Sequence, residues 1–360
     1  MNITRVKLEN IGSLISAYSL TGDEMFKQRA KQVADYLHGQ YNATALKAAK
    51  EASGFHKVSR LSEFLRQRLG FRYLGDITES PERYWQPIQA IDEYFRFGNG
   101  QIVNYSRSTW LMLDVRAYTQ LDRSDGEGLR LYNETLENMK ADGKIVTSKS
   151  NLTFILDAPG KMNQISCGFG AFLSYGAAAM EKVVKSLEAT GGNASAWKAQ
   201  IASHRRLARQ ITETCHLATN SSRLGLTTSV FLINSTATKP SAMLTGDGNH
   251  FLMPNILESY FVLYRFTGDQ RYRDYAWELA QAIYKHCRND NGGYSQIYRV
   301  NDETIIKRDY QPSYFIGATL EYLYLIFSSD QLLPLDEWVF NVAGNPLPIE
   351  GRNRAWKRCR

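Results

Sequence analysis

Two copies of one short stretch decide the fold class: Tyr18-Ser-Leu-Thr-Gly-Asp23 and Tyr264-Arg-Phe-Thr-Gly-Asp269. In each, a glycine stands where a helix ends in a left-handed residue, and an aspartate follows that is suited to cap the next helix. Working outward, Ile11, Leu14, Ile15 and Tyr18 lie at helical spacing before the first copy, and Phe26, Ala30, Val33, Ala34 and Leu37 lie at the same spacing after it. The second copy is flanked in the same way by Ile256 to Tyr264 and by Tyr272 to Tyr284. A looser third copy reads through Tyr73-Leu-Gly-Asp76 to Tyr84, and Thr319 to Phe327 reads as a further buried helix. Strand-like alternation is confined to short pieces near Lys144 to Phe154 and Tyr294 to Ile306. The pattern predicts an all-α chain, an (α/α) toroid barrel of antiparallel helix hairpins, with a helical binding solenoid as the alternative.

Composition narrows the function classes. With 360 residues and 43% hydrophobic content the chain can bury a full core. The net charge is +7, but Lys and Arg are spread along the chain and form no stripe interleaved with aromatics, so no nucleic-acid partner is expected. The dense basic run from Arg352 to Arg360 reads as a solvated tail, residues 351–360, beyond a single domain over residues 1–350. No apolar stretch reaches the ~18 residues of a membrane span, and Met1 to Glu9 lacks the apolar core of a signal peptide. Against that stand acceptor sequons at Asn2, Asn42, Asn104, Asn133, Asn151, Asn193, Asn220 and Asn234, an excess that points to a secretory setting. Cys167, Cys215, Cys287 and Cys359 form no C-x-x-C pair and have no nearby His pair, which argues against zinc.

Near the C-terminus stand Leu320-Glu-Tyr-Leu-Tyr-Leu-Ile-Phe327, Leu332-Leu-Pro-Leu-Asp-Glu-Trp-Val-Phe-Asn341 and Asn345-Pro-Leu-Pro-Ile349. Together they resemble the end of the class I α-1,2-mannosidases, glycoside hydrolase family 47. Further matches are Gly12 to Asp23, Leu61-Ser-Glu-Phe64 with Phe71-Arg-Tyr-Leu74, the segment around Cys167, Gly225-Leu226, Pro254 with Glu258-Ser259, and Leu263 to Cys287. From about Trp85 to Pro159 the likeness is loose. The resemblance implies a barrel of seven helix hairpins, a calcium ion at its floor, and removal of mannose from N-linked glycans with inversion. It also implies sequence ahead of the motif that begins here near Thr4, so the barrel is expected to lack its first hairpin.

Inverting hydrolysis needs one carboxylic acid to protonate the leaving oxygen and one carboxylate to activate water, ~6.5–9.5 Å apart. Position by position, the resemblance implies that these groups are replaced. Arg5 stands for the acid and Glu9 for its arginine partner, with the charges reversed. Asn255, after Met253 and Pro254, is an amide where the general base would be, and an amide takes no proton at neutral pH. Gly100 and Asn104 stand for a third acidic pair. Asn163 and Gln164 replace an aspartate and a histidine, and Ser229, Pro312, Ala318 and Ala343 stand where pocket glutamates are implied. Val342 occupies the calcium-binding threonine position and offers a carbonyl but no hydroxyl. No calcium or other cofactor is therefore expected.

Glu63 and Glu258 are the pocket acids that remain; they read either as a residual acid/base pair or as helix-face carboxylates with ordinary partners. Arg5 and Glu9, spaced i,i+4, are able to pair with each other. The resemblance also implies a disulfide between Cys167 and Cys215, with Cys287 and Cys359 unpaired. The leading reading is a mannosidase-like pseudoenzyme or degenerate homologue, a monomer in the secretory pathway with high-mannose N-glycan or glycoprotein as partner. Two others stay open: an active calcium-dependent mannosyl-oligosaccharide 1,2-α-mannosidase, and a barrel repurposed for non-glycosidase chemistry.

Overall fold

The computed structural model describes residues 3–40, 68–84, 127–233, 244–245, 248–341 and 343–355. In chain order its helices are α1 (Ile3–Thr21), α2 (Glu24–Gln40), α3 (Arg68–Ile77), α4 (Pro81–Tyr84), α5 (Glu127–Ala141), α6 (Phe169–Ala189), α7 (Ser195–Asn220), α8 (Asn255–Thr267), α9 (Arg271–Cys287) and α10 (Glu321–Phe327). Short antiparallel ribbons join them. β1 (Ile145–Thr147) pairs with β2 (Thr153–Ile155), and β3 (Lys161–Asn163) pairs with β4 (Val230–Leu232), which pairs with β5 (Leu244–Thr245). β6 (Gln296–Tyr298) pairs with β7 (Ile306–Arg308), and β8 (Trp338–Phe340) with β9 (Pro346–Pro348). The chain divides into two compact units, Met1–Leu121 with Leu333–Arg360, and Asp122–Leu332.

In the first unit the hairpin motif closes as its residues dictate. α1 ends at Thr21, Gly22 takes φ 74°, and its N–H donates to the Tyr18 carbonyl at 2.7 Å. Thr21 Oγ1 accepts the Asp23 N–H at 3.2 Å, and Asp23 Oδ1 accepts the Met25 N–H at 2.9 Å, which caps α2. Ile11, Ile15, Tyr18, Ala30 and Ala34 are buried, as the helical spacing requires. Gly12 and Gly70 face each other where α1 meets α3, and a Cβ at Gly70 would make only an ordinary contact, 3.6 Å from the Gly12 Cα. Ser16 Oγ donates to the Pro346 carbonyl at 2.7 Å and ties α1 to β9.

The second unit repeats the motif with the same bonds. Gly268 takes φ 68° and donates to the Tyr264 carbonyl at 2.7 Å, Thr267 Oγ1 accepts from Asp269 at 3.2 Å, and Asp269 Oδ1 accepts from Arg271 at 3.1 Å. Around it α5, α6, α7 and α8 pack on one another. Two glycines on α6 permit this. A Cβ at Gly176 would sit 2.1 Å from the Tyr132 ring, and one at Gly170 would sit 2.1 Å from Thr212 Oγ1 and 3.0 Å from Ser259 Oγ. Ser259 Oγ donates to the Cys167 carbonyl at 2.6 Å and accepts the Ala171 N–H at 3.0 Å, so α8 holds the chain where a 3-10 turn, Gln164–Gly168, becomes α6. The disulfide implied by the resemblance is present: Cys167 bridges to Cys215 on α7 across 48 residues. Cys287 is a buried free thiol, and Cys359 lies outside the described residues.

Two sequence expectations need correction. The third copy of the hairpin motif is not a hairpin turn: α3 runs straight through Gly75 and Asp76, and the chain turns later, at Thr78 to Ser80. That copy lacks the threonine whose hydroxyl organises the other two turns. The segment Thr319 to Phe327 is not a uniformly buried α-helix. It enters through a π-helical turn, Phe315–Leu320, and although Tyr322, Leu325 and Ile326 are buried, Tyr324 is 66% exposed. The two expected strand pieces form as the ribbons β1–β2 and β6–β7.

Candidate functional site

The positions in the second unit singled out by the resemblance fall on four pieces of chain: the end of β3 with the 3-10 turn, the start of β4, the entry to α8, and the segment that carries the π-helical turn. β3 pairs with β4 so that Asn163 faces Val230, and directly beyond this pair the Gln164 N–H donates to the Ser229 carbonyl at 2.9 Å. Asn163 Oδ1 accepts the Ile165 N–H at 3.0 Å and caps the 3-10 turn, so this amide has a structural duty. That turn packs against α8, whose first residue is Asn255 and whose first turn carries Glu258.

The entry to α8 is strained and firmly held. Leu252 has φ 58°, a left-handed value costly for a residue with a side chain. Thr319 Oγ1 donates to the Leu252 carbonyl at 2.7 Å, and Tyr314 Oη donates to the Phe251 carbonyl at 2.8 Å. Tyr314 immediately precedes the π-helical turn and Thr319 lies within it, so the irregular helix clamps the irregular loop. Asn255 is 7% exposed and Glu258 is 3% exposed. Tyr322 Oη donates to Glu258 Oε1 at 3.3 Å. Ser229, Pro312 and Ala318 are buried, and Met253 is half-buried. Beside these, Gln164 is fully buried, and neither its Nε2 nor its Oε1 has a hydrogen-bond partner. His250, equally buried, donates through Nδ1 to the Thr227 carbonyl at 2.7 Å while its Nε2 has no partner. Burial pulls this imidazole down to about 4, against which the Thr227 hydrogen bond acts.

The remaining positions fall elsewhere. Ala343 belongs to the first unit, where its N–H and that of Asn345 both donate to Asn341 Oδ1, at 2.9 and 3.0 Å. Arg5 and Glu9 fall on α1, but their side chains lie outside the described residues, as do Glu63, Gly100, Asn104, Val342 and the tail from Trp356. Sequence reasoning found Glu258 but missed its partner Tyr322 and the clamps Thr319 and Tyr314. These lie 63 to 67 residues from the groups they bind, and no local spacing announces such pairs. A groove of about 640 Å³ lies apart from this region, floored by Val184, Ile201, Leu263 and Phe266.

An all-helical chain with short connecting ribbons and a buried polar cluster at a helix entry defines a class before it defines a family. The fold is shared with a solved α-1,2-mannosidase from Trichoderma reesei, with a TM-score of 0.71 over 94% of this chain and 80% of that chain at 16% identity. The protein is therefore of the (α/α) barrel class. The sequence profile described as Glycosyl hydrolase family 47 matches residues 112–349, and the chain belongs to that family. Mannosyl-oligosaccharide alpha-1,2-mannosidase IA of Drosophila melanogaster is 30% identical over 399 aligned positions, covering 100% of this chain and 56% of the relative. Mannosyl-oligosaccharide 1,2-alpha-mannosidase IB of Homo sapiens is 30% identical over 384 positions, covering 97% and 57%. The chain spans little more than half the length of these relatives.

The calcium implied by the resemblance does not fit the described donors. Such an ion takes about six to eight oxygens, mostly carboxylates, carbonyls and waters held by carboxylates. In the second unit Ser229, Pro312 and Ala318 bring no carboxylate, and Val342, the calcium position that the resemblance implies, lies outside the described residues. Among the described residues no three His, Cys, Asp or Glu side chains are grouped to hold a metal ion. No described helix is long and apolar enough to cross a membrane.

Proposed function

We propose that this protein is a mannosidase-like barrel of the secretory pathway that binds high-mannose N-glycan without hydrolysing it. The observation that carries this reading is the first turn of α8. An amide, Asn255, stands one turn from Glu258, whose carboxyl already accepts from Tyr322. An amide takes no proton at neutral pH, so Asn255 cannot act as the base of the general acid/base pair that glycoside hydrolysis with inversion requires. The unpartnered Gln164 amide supports retention of a ligand, because one spare donor and one spare acceptor in a buried setting match a sugar hydroxyl. The Cys167–Cys215 bridge supports an oxidising compartment.

The test is incubation of the purified chain with a nine-mannose glycan, in calcium and in chelator, with released mannose read by mass spectrometry and glycan retention by calorimetry. Binding without release is expected in both conditions. Release that the chelator abolishes overturns the reading in favour of an active mannosidase. Absence of both binding and release overturns it in favour of a repurposed barrel.

A further inference from the structure

Four of the acceptor sequons lie among the described residues, all in the second unit, and their surroundings differ sharply. We infer that Asn193 and Asn151 carry N-linked glycans and that Asn133 and Asn220 do not. The inference rests on the secretory setting proposed above and adds to it the positions of modification.

An N-glycan is joined through Nδ2. The amide nitrogen attacks C1 of a sugar held on a lipid-linked pyrophosphate, the C–N bond forms as the C1–O bond breaks, and the lipid pyrophosphate departs. The transferase takes the amide proton. The donor is a lipid-pyrophosphate oligosaccharide of the secretory membrane. The acceptor therefore needs a free Nδ2, a Ser or Thr hydroxyl two residues on, and open space for a bulky polar chain.

Asn193 meets all three conditions in the folded protein. It is exposed in the connection between α6 and α7, and Ser195, the required hydroxyl, is exposed as well. A Cβ added at nearby Gly191 would meet nothing within 4 Å, so the surroundings are open. Asn193 Oδ1 accepts the Ser195 N–H at 2.9 Å while its Nδ2 is unpartnered. That division matters chemically. Attachment at Nδ2 leaves Oδ1 intact, so the turn at the start of α7 keeps its hydrogen bond after modification.

Asn151 is exposed in the β1–β2 turn, at φ 64°, and its side chain is likewise unpartnered. Its hydroxyl, on Thr153, is fully buried and lies 3.2 Å from Thr147 Oγ1. Transfer there must precede closure of the ribbon, and the finished turn then projects the glycan into solvent.

Asn220 fails on the nitrogen. Its Nδ2 donates to Glu278 Oε2 at 3.0 Å and lies 3.2 Å from His216 Nε2. Its hydroxyl, on Ser222, is buried as that of Thr153 is, so Asn220 and Asn151 are separated by the nitrogen: a glycan on Asn220 disturbs bonds of the folded protein, and one on Asn151 does not. Asn133 is restricted in space: it is half-buried in the middle of α5 beside buried Tyr132, and the Oδ1 of the same amide is sealed from solvent, which leaves little room for a bulky chain.

The experiment expresses the whole chain in a secretory cell line in two arms, as it is and with a cleavable leader added. Enzymatic removal of glycans in heavy-oxygen water then marks each occupied asparagine as a labelled aspartate for peptide mass spectrometry. In the leader arm we expect label at Asn193 and Asn151 and none at Asn133 and Asn220. Asn193→Gln and Ser195→Ala should each remove the same one-glycan step in gel mobility, since both abolish one sequon and Ser195→Ala leaves the turn bond in place. Label at Asn133 or Asn220 in material whose Cys167–Cys215 bridge has formed overturns the inference. So does an unlabelled Asn193 in that material. Label in the arm without a leader supports the secretory setting, while the leader arm decides the sites.

Discussion

Two regions of the second unit, both reaching onto α8, behave in opposite ways. Where α5, α6, α7 and α8 meet, the packing is close and specific: Tyr132 lies on Gly176, Gly170 faces Thr212 and Ser259, and Ser259 spans α8 and the start of α6 with two hydrogen bonds. At the entry to α8 the backbone is clamped equally firmly by Thr319 and Tyr314, yet the side chains inside are mismatched. Gln164 has two orphaned polar atoms, His250 Nε2 has no partner, and Asn255 brings an amide to the first turn of α8. The difference teaches that one region of the unit is fixed by close packing, while the other is fixed by its backbone and leaves buried polar atoms of Gln164 and His250 without partners.

The comparison breaks first at Gly176. Gly176→Ala places a methyl group 2.1 Å from the Tyr132 ring, which is fully buried and pinned by a 2.7 Å hydrogen bond to His204 Nδ1. Overpacking of this kind costs about 1–3 kcal/mol or more. Urea unfolding should show the loss, and a variant as stable as the parent would mean that the helices have room to separate.

A smaller effect is expected from acid. Burial pulls His250 down to about 4, and burial with Lys140 repulsion pulls His204 down to about 4. The neutral forms are the folded ones, so this contribution is fully present above the ordinary histidine value of 6.5 and is lost as pH falls through about 4. Glu321 acts in the other direction. Burial raises it to about 8, so its contribution is present below 4.5 and is lost as pH rises through about 8. Thermal unfolding against pH should therefore fall at both ends. Glu321→Gln should flatten the alkaline side alone, and an unchanged alkaline limb in that variant would contradict the assignment.

The smallest change in stability is expected at Gln164. Gln164→Met keeps the volume and removes two unsatisfied buried polar atoms, which is neutral or stabilising within about 1 kcal/mol. Glycan retention should nevertheless weaken by about tenfold. A large loss of stability would show that the amide is structural and would erase the contrast between the two regions.

The sequence by itself determined the hairpin turns, because glycine, threonine and aspartate close their bonds within a few residues, and the same six-residue phrase makes the same bonds twice. Resemblance then carried the pairing of Cys167 with Cys215. The failed third copy at Gly75 marks the limit of such reading, since a local phrase short of one hydroxyl was absorbed into a helix. Only the tertiary structure decided what Glu258 touches, that Gln164 is left without a partner, why α6 carries Gly170 and Gly176, and which sequons have a free nitrogen. The reason is physical: a cap is satisfied by its neighbours along the chain, whereas burial, close approach and orphaned polar atoms depend on residues brought near only when the helices pack.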